Sequence, residues 1–397
     1  MWVYNPHQIE GAEWALAKIR EKTWAYLSWQ ERTRKTGTAL LTVENSLADT
    51  CLIVTKKRAM DGWQEHLANL PLTKKYTLIN YESIHTIKGS FDFIILDEAH
   101  HAISGKPKKS KVWSKVAKFT KKKPILYLSA TPYAENLGLV FHQLALSSWS
   151  PFSQTNFYRW FEVYGIPHKV RTPYGLSETY SKYKDDIILD IIQPYFDFKT
   201  RKSVGIEHEP TVNLVRVPLL ETTIQVIEQT IKDEMFIAGD IEIPLDSPMK
   251  LRMTHYQLEG GTLKVDDTKS IFTTSGREKI EYIRANYDLD NLAIMAHFIA
   301  ERKLLEAEFP NVPIYSADGH AEGVDLSHIA KLLIYSMSFK TSKYTQRLAR
   351  QANHDRKTPI EVDILVGDKP AIGYDVFNTV AIKKENFDKN SYDRVWS

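Results

Sequence analysis

Short apolar runs punctuate this chain, and between them apolar residues recur every three or four positions. From Gln8 to Lys22, the residues Ile9, Ala12, Trp14, Ala15 and Ile19 fall at spacings that a helix gathers on one side. Trp24 to Trp29 is short, apolar and aromatic. A polar loop follows, and Thr38 to Val43 reads as another strand-like run. Cys51 to Thr55, Phe91 to Asp97 and Ile125 to Ser129 are three further strand candidates. Strands alternating with helical stretches, each bounded by polar turns, predict a parallel sheet with helices on both faces.

The pattern changes between about 150 and 205. Phe152, Phe157, Tyr158, Trp160, Phe161, Tyr164, Tyr174, Tyr180, Tyr183, Tyr195, Phe196 and Phe198 crowd together without clear strands. Their plain reading is a helical segment whose aromatics form a small core of its own; a base-stacking surface is the alternative. Pro210 to Pro218 then alternates like a half-exposed strand, and Thr222 to Phe236 reads as a helix. A second α/β block follows, with strands at Leu292 to His297, Leu332 to Ser336 and Ile360 to Val366 and a helix at Ala300 to Phe309. The expected division is a first lobe over 1–150, a helical insertion over 151–205 and a second lobe over 206–397.

Composition narrows the picture only a little. A chain of 397 residues is too long for one ordinary core and suits two domains. Net charge is +3, so a nucleic-acid partner has to be argued from local patches. The one cysteine, Cys51, excludes an internal disulfide and a Cys-rich zinc site, and its apolar neighbours suggest a buried thiol. No secretory leader and no membrane-spanning apolar stretch is visible, so a soluble, cytoplasmic protein with no membrane partner is expected.

Chemistry concentrates at the strand ends. The run Phe91 to Leu96 delivers two adjacent carboxylates, Asp97 and Glu98, to the C-terminal end of a strand, where open α/β sheets bind ligands. An Asp there can hold Mg²⁺ against nucleotide phosphates, and a neighbouring Glu can orient or deprotonate water. An acidic helix N-terminus is the bland alternative. Ser129 and Thr131, in Ser129-Ala130-Thr131-Pro132, end the next strand with hydroxyls that can reach those carboxylates; a proline-closed turn is the alternative. Gln8 opens the first helix with an amide able to pair with an adenine edge.

Taken in order, Asn5-Pro6-His7-Gln8, Leu52 to Thr55 with Trp63, Asn80-Tyr81-Glu82, Asp97-Glu98-Ala99-His100 and Ser129 to Pro132 resemble the superfamily 2 helicases. They look closest to the Swi/Snf-type translocases and their phage-encoded relatives. Ile294 to Glu301, Ala321 to Ser327 and Gln346-Arg347-Leu348-Ala349-Arg350 resemble motifs IV, V and VI. The resemblance implies an α/β fold of two RecA-like lobes plus the helical aromatic-rich insertion, with ATP and Mg²⁺ between the lobes. It implies catalytic roles for Glu98, Asp97, Arg350 and Gln346, and nucleotide contacts from Gln8, Lys35, Thr36 and Asp325. Mg²⁺ would sit on Asp97 and Thr36; Ser129, Thr131 and His100 would couple the nucleotide to motion, His100 as a contact between lobes. The implied partner is nucleic acid, DNA by preference, with replication or recombination proteins as further partners of a phage-type enzyme.

Three departures stand out. The phosphate loop should read G-x-x-x-x-G-K-[ST], because glycine lets backbone N–H groups close around phosphate. Here it reads Trp29 to Thr36, with Trp29 and Arg34 at the glycine positions. Arg34 is expected to crowd the phosphate path or force another turn. That leaves open a helicase-shaped binding or scaffold protein with impaired hydrolysis. Second, Asn353 stands where a second arginine belongs, and Arg356 lies one turn further on. Third, only one short strand, Val312 to Ser316, fits between Phe309 and Ala321, so the second lobe is abbreviated or completed from elsewhere.

Lys56, Lys57 and Arg58 follow a strand at the ligand-binding edge and are the first choice for a nucleic-acid backbone contact. Lys106 to Lys123 carries nine lysines but leads into the opposite edge, which favours a solvated helix and loop over a phosphate grip. His100-His101 beside the acidic pair invites a zinc reading, and Glu361-Val362-Asp363 a nuclease reading. The helicase resemblance and strand alternation respectively explain them better. The motor of a restriction system is a third reading, with no nuclease or methylase segment recognisable in support.

Overall fold

The computed structural model describes residues 3–104, 106–133, 136–172, 175–206, 210–266, 269–317, 329, 331–338, 361–368 and 371–383. The chain divides into two compact units, one reaching Gly205 and one running over Ile206–Asn386. Asp325, Gln346, Arg350, Asn353 and Arg356 lie outside the described residues.

In the first unit the elements are α1 (Pro6–Lys22), β1 (Trp24–Trp29), α2 (Lys35–Glu44), β2 (Thr50–Thr55), α3 (Met60–Asn69), β3 (Lys75–Asn80), β4 (Phe93–Asp97), α4 (Ala99–Ala102), α5 (Lys111–Thr120) and β5 (Ile125–Leu128). After them come α6 (Leu139–Leu144), α7 (Phe157–Tyr164), β6 (His168–Thr172), β7 (Gly175–Thr179), α8 (Asp185–Ile192) and β8 (Phe196–Lys199). Six strands form one sheet in the order β3-β2-β4-β5-β1-β8, with every pairing parallel. Side chains alternate across it with period two. Ala25, Leu27, Trp29, Cys51, Ile53, Phe93 and Ile95 face one core with residues of α1, α2 and Trp63. Trp24, Tyr26, Leu52, Val54, Ile94, Leu96 and Tyr127 face the other. Because both faces are covered, the strands read as continuous apolar runs. Cys51 is the buried thiol expected of it, its pKa raised by burial.

Two sequence expectations are corrected here. Thr38 to Val43 is helix, not strand, lying within α2. Its β-branched residues suggest a strand. However, β1 and its parallel neighbours need a crossover, and the Thr38 and Thr42 hydroxyls bond back to Arg34 O and Thr38 O as helical threonines do. The segment 151–205 has no separate small core and is not strandless. Phe152, Phe157, Trp160, Phe161, Tyr183, Phe196 and Phe198 join the same core as Tyr26 and Tyr127. Strand β8 extends the main sheet, and β6 and β7 form an antiparallel hairpin. Tyr26 stacks on Phe196 at 4.4 Å and on Tyr127 at 5.2 Å between ring centroids.

In the second unit are β9 (Thr211–Val217), α9 (Glu221–Asp233), β10 (Met235–Ala238), β11 (Ile241–Pro244), α10 (Pro248–Glu259), β12 (Thr262–Lys264), β13 (Ser270–Phe272), α11 (Glu278–Asn286), β14 (Leu292–Ala296), α12 (Ile299–Glu308), β15 (Ile314–Ser316), β16 (Lys331–Ile334) and β17 (Glu361–Gly367). Its sheet is five-stranded and parallel, in the order β15-β14-β16-β17-β9. The helix expected to reach Phe236 stops earlier: Glu234 turns left-handed at φ 48° and Met235 starts a hairpin. β15 is the short strand foreseen after Phe309 and forms the sheet edge, while β9 supplies the strand at the other edge. A buried ion pair, Lys279 to Glu259 at 2.8 Å, lies at the C-terminal end of this sheet, and Glu259 also accepts from Gly367 N and Gly373 N. Two parallel, helix-covered sheets therefore give the α/β, RecA-like architecture expected from the sequence. Among the described residues no helix is long and apolar enough to cross a membrane.

Candidate functional site

Because the first sheet is parallel, β1, β2, β4, β5 and β8 all end on one edge, and the chemistry-bearing residues gather there. The turn after β1 leads into α2 at Lys35, and β4 delivers Asp97 and Glu98 two strands away, with β5 between them.

The turn keeps a left-handed backbone without glycine. Arg32 sits at φ 67° and Arg34 at φ 65°. A side chain there costs about 1–2 kcal/mol per residue. The expectation that Arg34 forces another turn is thus corrected, since the arginine itself adopts the glycine-like conformation. Neighbouring side chains brace it. Gln8 Nε2 donates to Arg34 O at 3.3 Å, a nitrogen of His7 lies 3.1 Å from Thr33 O, and Thr33 Oγ1 donates to Gln30 O at 2.7 Å. The Gln8 amide, read from sequence as an adenine contact, uses its oxygen on Asn5 N at 3.0 Å and so closes a capping box on α1. Trp29 is fully buried against Gly11, and its Nε1 donates to Asp197 Oδ2 at 2.7 Å.

Lys35 folds its ammonium back onto Trp29 O and onto Gln30 O at 2.9 Å. Burial pulls its pKa below the ordinary lysine value, while Glu31, Glu98 and Asp97 raise it. An ammonium whose donors rest on neutral carbonyls can pass them to a stronger acceptor such as a phosphate oxygen. Thr36 follows in the first turn of α2.

Asp97 Oδ2 accepts from Thr55 Oγ1 at 2.7 Å and from Trp63 Nε1 at 2.9 Å, and Tyr81 OH donates to Asp97 O at 2.9 Å. Thr55 and Trp63 thus hold that carboxylate still, while Tyr81 fixes the backbone behind it. Glu98 occupies a left-handed turn at φ 51°. Burial pushes its pKa up to about 7, with the Lys56 charge lowering it and Asp97 raising it. Ser129 Oγ donates to Glu98 Oε2 at 3.0 Å, accepts from Thr131 N at 3.0 Å and lies 3.1 Å from His100 Nδ1. Of the two hydroxyls expected from sequence to reach the carboxylates, that of Ser129 reaches Glu98. His100, expected to reach the other lobe, has its Nδ1 within this cluster, 3.3 Å from Glu98 Oε2. Thr131 Oγ1 is buried without a hydrogen-bond partner.

Lys56, Lys57 and Arg58 differ in their surroundings. Lys57 and Arg58 are exposed at the end of β2, whereas Lys56 follows Thr55 on the strand beside β4 and acts on Glu98. The lysine-rich tract is a solvated helix, α5, capped by Ser110; its first member, Lys106, bonds Asn136 Oδ1 and Tyr180 O instead of facing outward. Glu361 and Asp363 lie on β17 with Lys331 within 3.1 and 3.0 Å, and Asp363 also accepts from Asn213 Nδ2 and Tyr287 OH. These are strand-end ion pairs. Among the described residues no group of three His, Cys, Asp or Glu converges as a metal cluster would. Sequence reading missed two participants: Trp63 as a donor to Asp97, and the segment after β8, which touches the phosphate loop.

Residues 20–134 match the family described as type III restriction enzyme, res subunit. No curated protein matches the sequence. The structure is similar to the ATP-dependent type ISP restriction-modification enzyme LlaBIII bound to DNA. That likeness has 14% identity and a TM-score of 0.52, and it covers 98% of this chain but 30% of that one. The Sulfolobus solfataricus SWI2/SNF2 ATPase core in complex with dsDNA is similar at 14% identity, covering 100% of this chain and 94% of that one, with a TM-score of 0.45. The same core domain alone matches at 13% identity, 98% and 90% coverage and a TM-score of 0.43. The family match lies within the first unit, and the fold of the chain is similar to that of the restriction-modification enzyme.

Proposed function

We propose that this chain, built on a superfamily 2 helicase domain, is a nucleic-acid-stimulated ATPase that translocates along DNA. One observation carries the reading: buried Lys35, after β1, and the Asp97-Glu98 pair, after β4, converge at one edge of a parallel sheet, with Ser129 between them. Lys35 and the N–H groups opening α2 would bind the β- and γ-phosphates of ATP. Thr36 and Asp97 would hold Mg²⁺, Asp97 with the oxygen that Thr55 and Trp63 leave open. When bound, the ion neutralises charge on the phosphate oxygens. Glu98 would orient the attacking water and take its proton, a task that suits a carboxylate near pKa 7. Ser129, tied to Glu98, His100 and Thr131, would register the γ-phosphate. Lys57 and Arg58 would contact nucleic-acid phosphates, and the sequence resemblance assigns nucleotide and catalytic roles to Asp325, Gln346 and Arg350 as well.

The competing reading is a helicase-shaped nucleic-acid-binding protein with impaired hydrolysis. What favours it is the pair of arginines at left-handed positions together with the Lys35 ammonium turned onto its own loop. ATP turnover with and without single- and double-stranded DNA or RNA separates the two. DNA-stimulated turnover that is lost in both Glu98→Gln and Lys35→Ala supports the motor. Background turnover on every nucleic acid sinks it.

A further inference from the structure

Charge is unevenly spread along this chain. Nine lysines stand between Lys106 and Lys123, and no Asp or Glu occurs from Ala99 to Ala134. Against a total of +3, everything outside that stretch is net acidic. Lys106 is taken up by Asn136 and Tyr180, and Lys123 lies near the Asp92 carboxylate. Among the described residues, none of the other lysines of the tract has a carboxylate partner.

Helix α5 displays them. Val116 and Thr120 are buried and Val112 packs on the same core, while Lys111, Lys115 and Lys118 recur at the spacing that lines the opposite face. Lys108 and Lys109 before the helix and Lys121 and Lys122 after it are exposed. Because α5 joins two parallel neighbours, β4 and β5, the row runs back along the sheet from its C-terminal edge toward the other.

Local physics opposes this arrangement. Lysines one turn apart repel, and cations at a helix N-terminus work against its dipole. Lys122 holds a left-handed backbone at φ 56°, which glycine adopts freely and a side chain only at a cost. Unpaired cations kept against these preferences suit a polyanion. Single-stranded sites interleave cations with aromatic platforms. Here Trp113 and Phe119 pack against the core, and Lys109 Nζ covers the Trp113 ring at 3.8 Å. The face is cationic without a stacking platform, which fits the outside of a duplex.

We propose that α5 and its flanking turns form a second nucleic-acid surface, in addition to the contacts of Lys57 and Arg58, and that it grips the phosphate backbone of duplex DNA. It reads no sequence and needs no nucleotide, so it stands whether or not the chain hydrolyses ATP.

The test is equilibrium binding of a fluorescent duplex DNA to the full chain, without nucleotide, over a series of salt concentrations. The triple variant Lys111→Gln, Lys115→Gln, Lys118→Gln should bind about tenfold more weakly or worse, with the slope of log affinity against log salt reduced by about 1 per lysine. Its thermal transition should not fall, since repulsion along the helix is relieved. The control Lys75→Gln with Lys232→Gln removes two exposed lysines on other elements and should leave the slope in place. Unchanged affinity and slope in the triple variant overturn the proposal, and so does an equal fall per lysine in the control. A loss confined to single-stranded DNA, or to vesicles of anionic phospholipid, also overturns it. If the triple variant does not fold, Lys122→Gly decides: a higher melting temperature with weaker duplex binding supports the proposal, and equal binding overturns it. A wild type that binds no duplex DNA ends the proposal, whereas one that binds DNA but turns over no ATP removes only the motor reading.

Discussion

Gly11→Ala sets two effects of opposite sign against each other. Gly11 lies in the middle of α1, where helix propensity alone favours alanine by about 1 kcal/mol. A Cβ at Gly11, however, would stand 2.3 Å from Trp29 Cζ2 and 2.5 Å from Cη2. Carbon atoms pack at about 3.5–4.0 Å, so the ring has to retreat by roughly an ångström. It has nowhere easy to go, since Trp29 is fully buried and its Nε1 is held by Asp197. Overpacking of that kind costs about 1–3 kcal/mol, more than propensity returns. The net expectation is a loss of up to about 2 kcal/mol, read in calorimetry as a fall of up to about 8 °C at roughly 2–4 °C per kcal/mol for a unit of this size. Gly62→Ala is the matched control. It also lies in a helix, α3, but an added Cβ meets nothing within 4 Å, so the substitution should raise stability by about 0.5–1 kcal/mol. A Gly11→Ala chain at least as stable as the wild type would refute the claim that this glycine exists to seat Trp29 beneath the phosphate loop.

Other consequences lie in the second unit. Glu301 is buried and its pKa is pushed up to about 8 by burial, against Ser336 and Lys279, which lower it. A raised carboxyl pKa contributes stability that is fully present below the unfolded value and is lost as pH rises through the folded one. Urea melts should therefore show the second unit weakening between about pH 4.5 and 8, and Glu301→Gln should flatten that fall; an equal slope in both proteins would contradict it. The Lys279–Glu259 pair is almost wholly buried, so Lys279→Met should cost about 3–5 kcal/mol by stranding a carboxylate. Denaturant titration that finds a loss below about 1 kcal/mol would show that Gly367 N and Gly373 N suffice to hold Glu259.

What could be read from the chain follows the reach of its interactions. Phe93 to Asp97 is legible because an apolar strand and its terminal carboxylates are consecutive, and the period-two split of the two cores is written in the same residues. Thr38 to Val43 misleads because β-branched residues favour strands, while the demand for a crossover between parallel neighbours is set by β5 and β8, far along the chain. The aromatics after 150 look self-sufficient because their partners, Tyr26 and Tyr127, lie well upstream. The segment after β8 was invisible for the same reason, its contact with Gln30 spanning 171 positions. The turn that leads into Lys35 and Thr36 was legible from the short apolar strand before it. Its bracing was not, since His7, Gln8 and Asp197 carry no signature of that task.

Strand β8 also sets a clock on the birth of this site. Trp29 finds its partner Lys199 only after another 170 residues have been made, 199 − 29 by position. At about 5–20 residues per second, a ribosome needs roughly 10–30 s to supply them. During that interval β1, which carries the phosphate loop, has an open edge and an uncovered aromatic face, the state most exposed to pairing with the wrong strand. The loop after β1 is among the first parts of the molecule to be synthesised and among the last in the first unit to be secured.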